Sequence, residues 1–138
     1  MHVVRLGHVN ILTPAFAETI AFYESCLGLR AGPAASSQAR PQNAWLHDEG
    51  GHPIIHVNGP MEGETIHPEG AASRLDHFAL DCTGLDSCII RLEARNVPYR
   101  RIRIEARGLT QLNIVDPNGL KVELTFTDPD GDPPARAK

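Results

Sequence analysis

Leu120-Lys121-Val122-Glu123-Leu124-Thr125-Phe126 alternates apolar and polar residues, the period-2 pattern of a strand with one face packed and the other turned away. Leu120, Val122, Leu124 and Phe126 take the packed face, and Lys121, Glu123 and Thr125 the other. Asp116-Pro117-Asn118-Gly119 stands immediately before it and reads as a turn, because Pro fixes φ while Asn and Gly accept positive φ. The hairpin therefore ends in a strand that carries a single carboxylate, Glu123, on its unpacked face. Two earlier strand-like runs, Leu6-Gly7-His8-Val9-Asn10-Ile11 and Leu75-Asp76-His77-Phe78-Ala79-Leu80, present a histidine in the same way.

Working outward, the order of elements occurs twice. Met1 to Asn10 reads as a first strand. Thr13-Pro14 reads as N-cap and first helical residue, Phe16, Ile20, Tyr23 and Leu27 recur at helical spacing, and Gly28 suits an αL stop. Ala44 to His47 and Pro53 to Asn58 read as strands around the turn Asp48-Glu49-Gly50-Gly51. From Gly59 to Arg74 the chain holds Gly, Pro and charge without period, the composition of a mobile linker and a candidate lid. A second strand, a helix striped by Leu85, Cys88, Ile89 and Leu92 with Asn96 as C-cap, and strands at 99–105, 110–115 and 120–126 then follow.

A shift of 69 residues carries Leu6-Gly7-His8 onto Leu75-Asp76-His77, Phe16 onto Leu85, Ile20 onto Ile89 and Glu24 onto Glu93. A shift of 67 carries Ile55-His56-Val57 onto Val122-Glu123-Leu124. Such a repeat comes before any fold assignment. It predicts an α+β chain of tandem βαβββ modules, about 1–60 and 73–128, joined by the linker 59–74 into one domain over 1–128, with a fraying tail at 129–138. His8, His56, His77 and Glu123 fall at two equivalent strand positions, so a pseudo-twofold axis would bring all four together.

Composition narrows the classes of function. The 138 residues suit one domain that buries its apolar surface without staples. No apolar run approaches the roughly 18–20 residues of a membrane span. Met1-His2-Val3-Val4-Arg5 leads straight into strand pattern, so no signal peptide is expected. A formal charge of −4 with mixed signs leaves no basic footprint for nucleic acid. Cys26, Cys82 and Cys88 lack metal-type pairing and read as reduced, structural thiols. The expected setting is cytoplasmic, with no membrane or nucleic-acid partner.

These residues resemble the vicinal oxygen chelate superfamily, which includes glyoxalase I, extradiol dioxygenases, methylmalonyl-CoA epimerase and the fosfomycin- and bleomycin-resistance proteins. The resemblance spans roughly residues 3–126. It rests on Leu6-Gly7-His8-Val9, Phe22-Tyr23-Glu24 with Leu27-Gly28-Leu29, Leu75-Asp76-His77-Phe78-Ala79, and Asp116-Pro117-Asn118-Gly119 running into Val122-Glu123-Leu124. It implies paired βαβββ modules that form a curved mixed sheet around one divalent metal, a small-molecule substrate, and a homodimer. His8, His77 and Glu123 are the implied ligands. Two imidazoles and a carboxylate with open positions is a common catalytic arrangement, and it suits Fe, Ni, Zn, Co or Mn alike. His56 stands where the family often has Glu or Gln, and reads as a further ligand, a general base or a supporting donor.

Open positions on a metal suit a substrate that chelates through neighbouring oxygens. The metal would stabilise an enediolate while a base, His56 or Glu123, moves a proton, giving isomerase or lyase chemistry of the glyoxalase type. Ring-cleaving dioxygenation on iron is the alternative. Against it, Asn113 stands where the extradiol enzymes carry Tyr, and Glu105-Ala106-Arg107-Gly108-Leu109 holds no His. A drug-sequestering protein of the bleomycin-resistance kind and a thiol-dependent fosfomycin transferase complete the alternatives. Trp45, Gln111 and Asn113 are the expected substrate contacts. Arg101 and Arg103 could meet a substrate carboxylate, or could form a solvated sheet edge. His2, His47, His52 and His67, at the terminus, in turns or in the linker, are left outside the site.

Overall fold

The computed structural model describes residues 1–33, 40–67 and 75–127. The chain divides into two compact units, Met1–Glu69 and Gly70–Lys138, and the division falls inside the stretch read as a linker. The expected tail 129–138 and the linker residues 68–74 lie outside the described residues. Together the elements are two four-stranded mixed sheets and two α-helices, the α+β arrangement read from the sequence.

The first unit runs β1 (Val9–Leu12), α1 (Phe16–Leu27), β2 (Arg30–Pro33), β3 (Asn43–His47) and β4 (Pro53–Asn58), with sheet order β1-β4-β3-β2. β1 lies parallel to β4, and a parallel neighbour requires a crossover, which α1 supplies. Ala44 and Leu46 of β3, Ile55 and Val57 of β4, and Tyr23 and Cys26 of α1 are buried, so the helix covers one face of the sheet. The opposite face carries the polar set Asn43, Trp45, His47, His56 and Asn58.

The second unit repeats this order: β5 (His77–Cys82), α2 (Leu85–Ala94), β6 (Arg100–Ile104), a 3-10 turn (Glu105–Arg107), β7 (Leu109–Val115) and β8 (Lys121–Thr127), in sheet order β5-β8-β7-β6. Thr110, Leu112 and Ile114 of β7 and Val122, Leu124 and Phe126 of β8 are buried, as are Cys88 and Leu92 of α2. The alternation read from the last strand therefore holds. The registers repeat as well: Val9 lies opposite Ile55, and its equivalent Phe78 lies opposite Val122. The shifts of 69 and 67 residues are thus the same ladder built twice.

Local chemistry agrees with most sequence signals and refines others. Gly28 closes α1 at φ 74°, donating to Glu24 O. Asn96, at φ 53°, follows α2, where Asn96 N–H donates to Glu93 O and Val97 N–H to Leu92 O, a Schellman closure. The Asp116 turn has a function beyond Pro and Gly geometry. The buried Asp116 carboxylate accepts from the Asn118 and Leu120 backbone N–H groups at 2.8 and 2.9 Å. Thr13 stands three residues before the helix begins and two before the N-cap residue Ala15, from whose N–H its hydroxyl accepts at 2.9 Å. The first strand is shorter than its apolar pattern, starting at Val9 rather than Met1. β4 begins at Pro53, so residues before His8 have no strand within this unit to pair with, and Val3, Val4 and Leu6 stay exposed.

The described part of the linker is tied down. Gly59 N–H donates to Gln42 O, and the Arg40 guanidinium forms a two-point pair with the Glu64 carboxylate at 2.7 and 2.8 Å while also reaching Gly59 O. Glu64 also accepts from Met61 N–H at 3.0 Å. A paired guanidinium and a backbone donor both favour the charged carboxylate, and they lower the Glu64 pKa from 4.5 to about 2. The pKa is depressed on folding, so the contribution is complete above pH 4.5 and is lost as pH falls toward 2. Hydrogen exchange at the Met61 amide, corrected for its intrinsic rate, should therefore accelerate across that interval. Glu64→Gln should accelerate it already at neutral pH; exchange indifferent to both would mean the clasp does not order this loop.

Candidate metal and substrate site

β4 delivers His56 to the open face of the first unit, and His8 stands on the same side immediately before β1. His56 lies opposite Asn10 in the parallel ladder, one pleat along from His8. Trp45, opposite His56 on β3, stacks on its ring with centroids 4.2 Å apart and planes 7° from parallel. His8 meets Trp45 edge-on at 4.7 Å and His56 at 6.3 Å. The structure thus brings three of the expected site residues together. An open cleft of about 300 Å³, lined by Arg5, Leu6, His8, His52 and Ile54 among others, extends from the His8 end of this face.

Both nitrogens of His56 are engaged. Asn10 donates its side-chain N–H to Nδ1 at 2.8 Å, and Nε2 lies 2.7 Å from Asn43 Oδ1, to which it donates in the neutral tautomer. Burial, then the nearby His8 and the Arg40 guanidinium, push the His56 pKa below its usual 6.5, so the ring is neutral at pH 7. The sequence leaves three roles open to His56 (ligand, base or supporting donor), and this ring has both nitrogens in hydrogen bonds with side-chain amides. Asn58, buried beside it, has an Oδ1 with no hydrogen-bond partner among the described residues.

In the second unit Glu123 lies opposite Ala79, one pleat along from His77, the same diagonal that relates His56 to His8. Gln111 donates to Glu123 Oε1 at 2.7 Å and Thr125 adds a longer bond to the same oxygen at 3.3 Å. Among the described residues Oε2 is left without a hydrogen bond. His77 Nδ1 lies 3.0 Å from Asp76 Oδ2, and Asp76 Oδ1 accepts from Lys121 Nζ at 2.7 Å. That carboxylate holds the ring by one nitrogen, and among the described residues Nε2 has no hydrogen bond. Asn113, opposite Glu123, shares its face, and its buried Nδ2 has no hydrogen-bond partner among the described residues.

The arginines stand on the edge strand β6. Arg101 and Arg103 lie opposite Leu112 and Thr110, on the face away from Glu123, and Arg103 donates to Thr110 Oγ1 at 3.3 Å. Arg100, opposite Asn113, is the arginine on the site's face. Asn10, Asn43 and Asp76 were not singled out in the sequence. The signal available for Asn43 was its place in the repeat, where a shift of 68 residues carries it onto Gln111. The other histidines have local roles: His47 Nδ1 contacts Arg30 O, and His52 pairs with Asp48 within its turn. Burial pushes the Cys82 thiol up to about 12, which removes it as a thiolate nucleophile. Within either unit, among the described residues, no three His, Cys, Asp or Glu side chains form a group that could hold a metal ion.

The superfamily of glyoxalases, bleomycin resistance proteins and dioxygenases matches the chain over residues 5–131. The chain belongs to that superfamily. No curated protein sequence matches it. Among solved structures it is similar to a glyoxalase family protein from Bacillus anthracis, at 18% identity and TM-score 0.71, covering 93% of this chain and 98% of that one. A glyoxalase/bleomycin resistance protein/dioxygenase domain from Frankia sp. EAN1pec gives 15% identity and TM-score 0.72 over 94% and 96%. A mutant fosfomycin resistance protein from Listeria monocytogenes, bound to Mn(II) and 1S,2S-dihydroxypropylphosphonic acid, gives 13% and 0.64 over 89% and 90%. These likenesses show the superfamily fold. No helix is long and apolar enough to cross a membrane among the described residues.

Trp45 is the sole tryptophan, so its emission reports on the His56 stack. His56→Ala should lower stability by about 1–3 kcal/mol through two lost hydrogen bonds and the ring contact. Urea unfolding followed at Trp45 should show an earlier midpoint and a red-shifted folded spectrum. An unmoved midpoint would mean the imidazole does not brace this face.

Proposed function

We propose that this superfamily member is a metal-dependent enzyme that uses His8, His77 and Glu123 as ligands of a divalent cation and binds a small substrate through neighbouring oxygens. The observation that supports it most is donor availability at repeat-equivalent positions. Among the described residues His77 Nε2, Glu123 Oε2 and the His8 ring have no hydrogen bond. When bound, such a cation supplies Lewis acidity to a substrate oxygen. A fosfomycin resistance protein of the same fold is solved with Mn(II), which lends that cation to the reading.

The chain's own residues then divide the remaining work. Asp76 fixes the His77 ring, a carboxylate–imidazole arrangement common behind metal ligands. Glu123 is both ligand and candidate base, because its one unengaged oxygen lies on the face where substrate would sit. Asn113, with a buried N–H lacking an acceptor, is the polar group best placed to receive a substrate oxygen. Trp45 offers a flat apolar wall. This assembly suits proton movement next to a polarised carbonyl, hence isomerase or lyase chemistry of the glyoxalase type.

Metal content by mass spectrometry on untagged protein tests the reading directly. One equivalent per chain is expected, falling by orders of magnitude in His77→Ala and in Glu123→Ala while both variants keep the wild-type circular dichroism. Folded wild-type protein that refuses Mn(II), Co(II), Ni(II) and Zn(II) would sink the enzyme reading in favour of a metal-free binding protein.

A further inference from the structure

The third strand of each unit presents an amide at the same repeat position, Asn43 in β3 and Gln111 in β7. Each amide hydrogen-bonds the residue at the matching position of the last strand, Asn43 with His56 at 2.7 Å and Gln111 with Glu123 at 2.7 Å. The contacts are diagonal in both ladders, since Asn43 lies opposite Asn58 and Gln111 opposite Thr125. The same brace is therefore built twice, with opposite polarity: Asn43 presents its oxygen to an imidazole N–H, and Gln111 presents its N–H to a carboxylate oxygen.

We infer that Asn43 and Gln111 are equivalent positioning residues that decide what the last-strand residue of each unit can do. This rests on the metal reading above and adds its ligand count. Gln111 occupies Glu123 Oε1, so the carboxylate is left to act through Oε2 alone. Asn43 and Asn10 together occupy both nitrogens of His56, with Trp45 stacked on the ring. His56 is thereby withheld from the cation, and the centre has one more open position than a four-ligand set would leave. Gln111, expected from the sequence to touch substrate, acts instead through Glu123.

Two measurements test this separately. In metal-free protein, long-range ¹H–¹⁵N spectra should show His56 as a single neutral tautomer, protonated at Nε2 and unprotonated at Nδ1. Asn43→Ala should turn that into a tautomer mixture, a change that a merely structural asparagine would not produce. With Co(II) as probe, Gln111→Met should weaken binding by about 10–100-fold, the usual range for losing a group that orients a ligand. Gln111→Asn, which keeps the donor, should recover part of that loss. His56→Ala should leave both the Co(II) affinity and the Co(II) visible spectrum unchanged. A His56→Ala loss as large as that of His8→Ala would make His56 a ligand and overturn the inference. So would a fixed His56 tautomer in Asn43→Ala, or Co(II) binding indifferent to Gln111→Met. If wild-type protein takes no Co(II), the metal reading fails and the ligand-count half of the inference is overturned with it. The tautomer spectra still decide the Asn43 half.

Discussion

The parallel pairing of the first strand of each unit with its last is the constraint on which the rest depends. Parallel neighbours cannot be joined by a tight turn, so the chain must leave the sheet, run back as a helix and return. The helix of the first unit then covers one face of its sheet, and the apolar side chains of β3 and β4 gather beneath it. The other face is freed from core packing. Polar side chains can occupy it because solvent, or a ligand, satisfies what the protein does not.

The register of that pairing was written in the sequence, because a period of two leaves little choice once one face is apolar. Val122, Leu124 and Phe126 had to be buried, which sent Glu123 and Thr125 to the open face. The same argument placed His56 against Ile55 and Val57. It failed for the arginines of β6, where Arg100-Arg101-Ile102-Arg103-Ile104 offers no clear apolar face near its start. Only the pairing of Arg101 with Leu112 shows which side they take. The span of β1 was misread for a related reason: Val3, Val4 and Leu6 have strand composition, yet strand formation needs a partner, and β4 supplies one only as far as Pro53.

The engagement of His56 was beyond sequence reading for a different reason. Its partners come from two other strands, 46 and 13 residues away, and neither Asn10 nor Asn43 carries a chemical signal by itself. The structure supplies two amides where a metal or a substrate would need access. Glu123, by contrast, has one oxygen braced by Gln111 and Thr125 and, among the described residues, the other without a hydrogen bond.

The repeat also differs where it would be expected to match, and the difference falls on the two remaining imidazoles. Asp76 precedes His77, while its equivalent in the first unit is Gly7. His77 is therefore oriented by a carboxylate that Lys121 holds in turn, whereas no hydrogen bond among the described residues orients His8, which rests edge-on against Trp45. A carboxylate partner raises the basicity of an imidazole's other nitrogen, and an aromatic edge does not. Duplicated backbones have thus been given different supports: an electrostatic one for His77, a packing one for His8. The positions in the ladder are shared, but the donor strength at each is set by a neighbour that the repeat does not preserve.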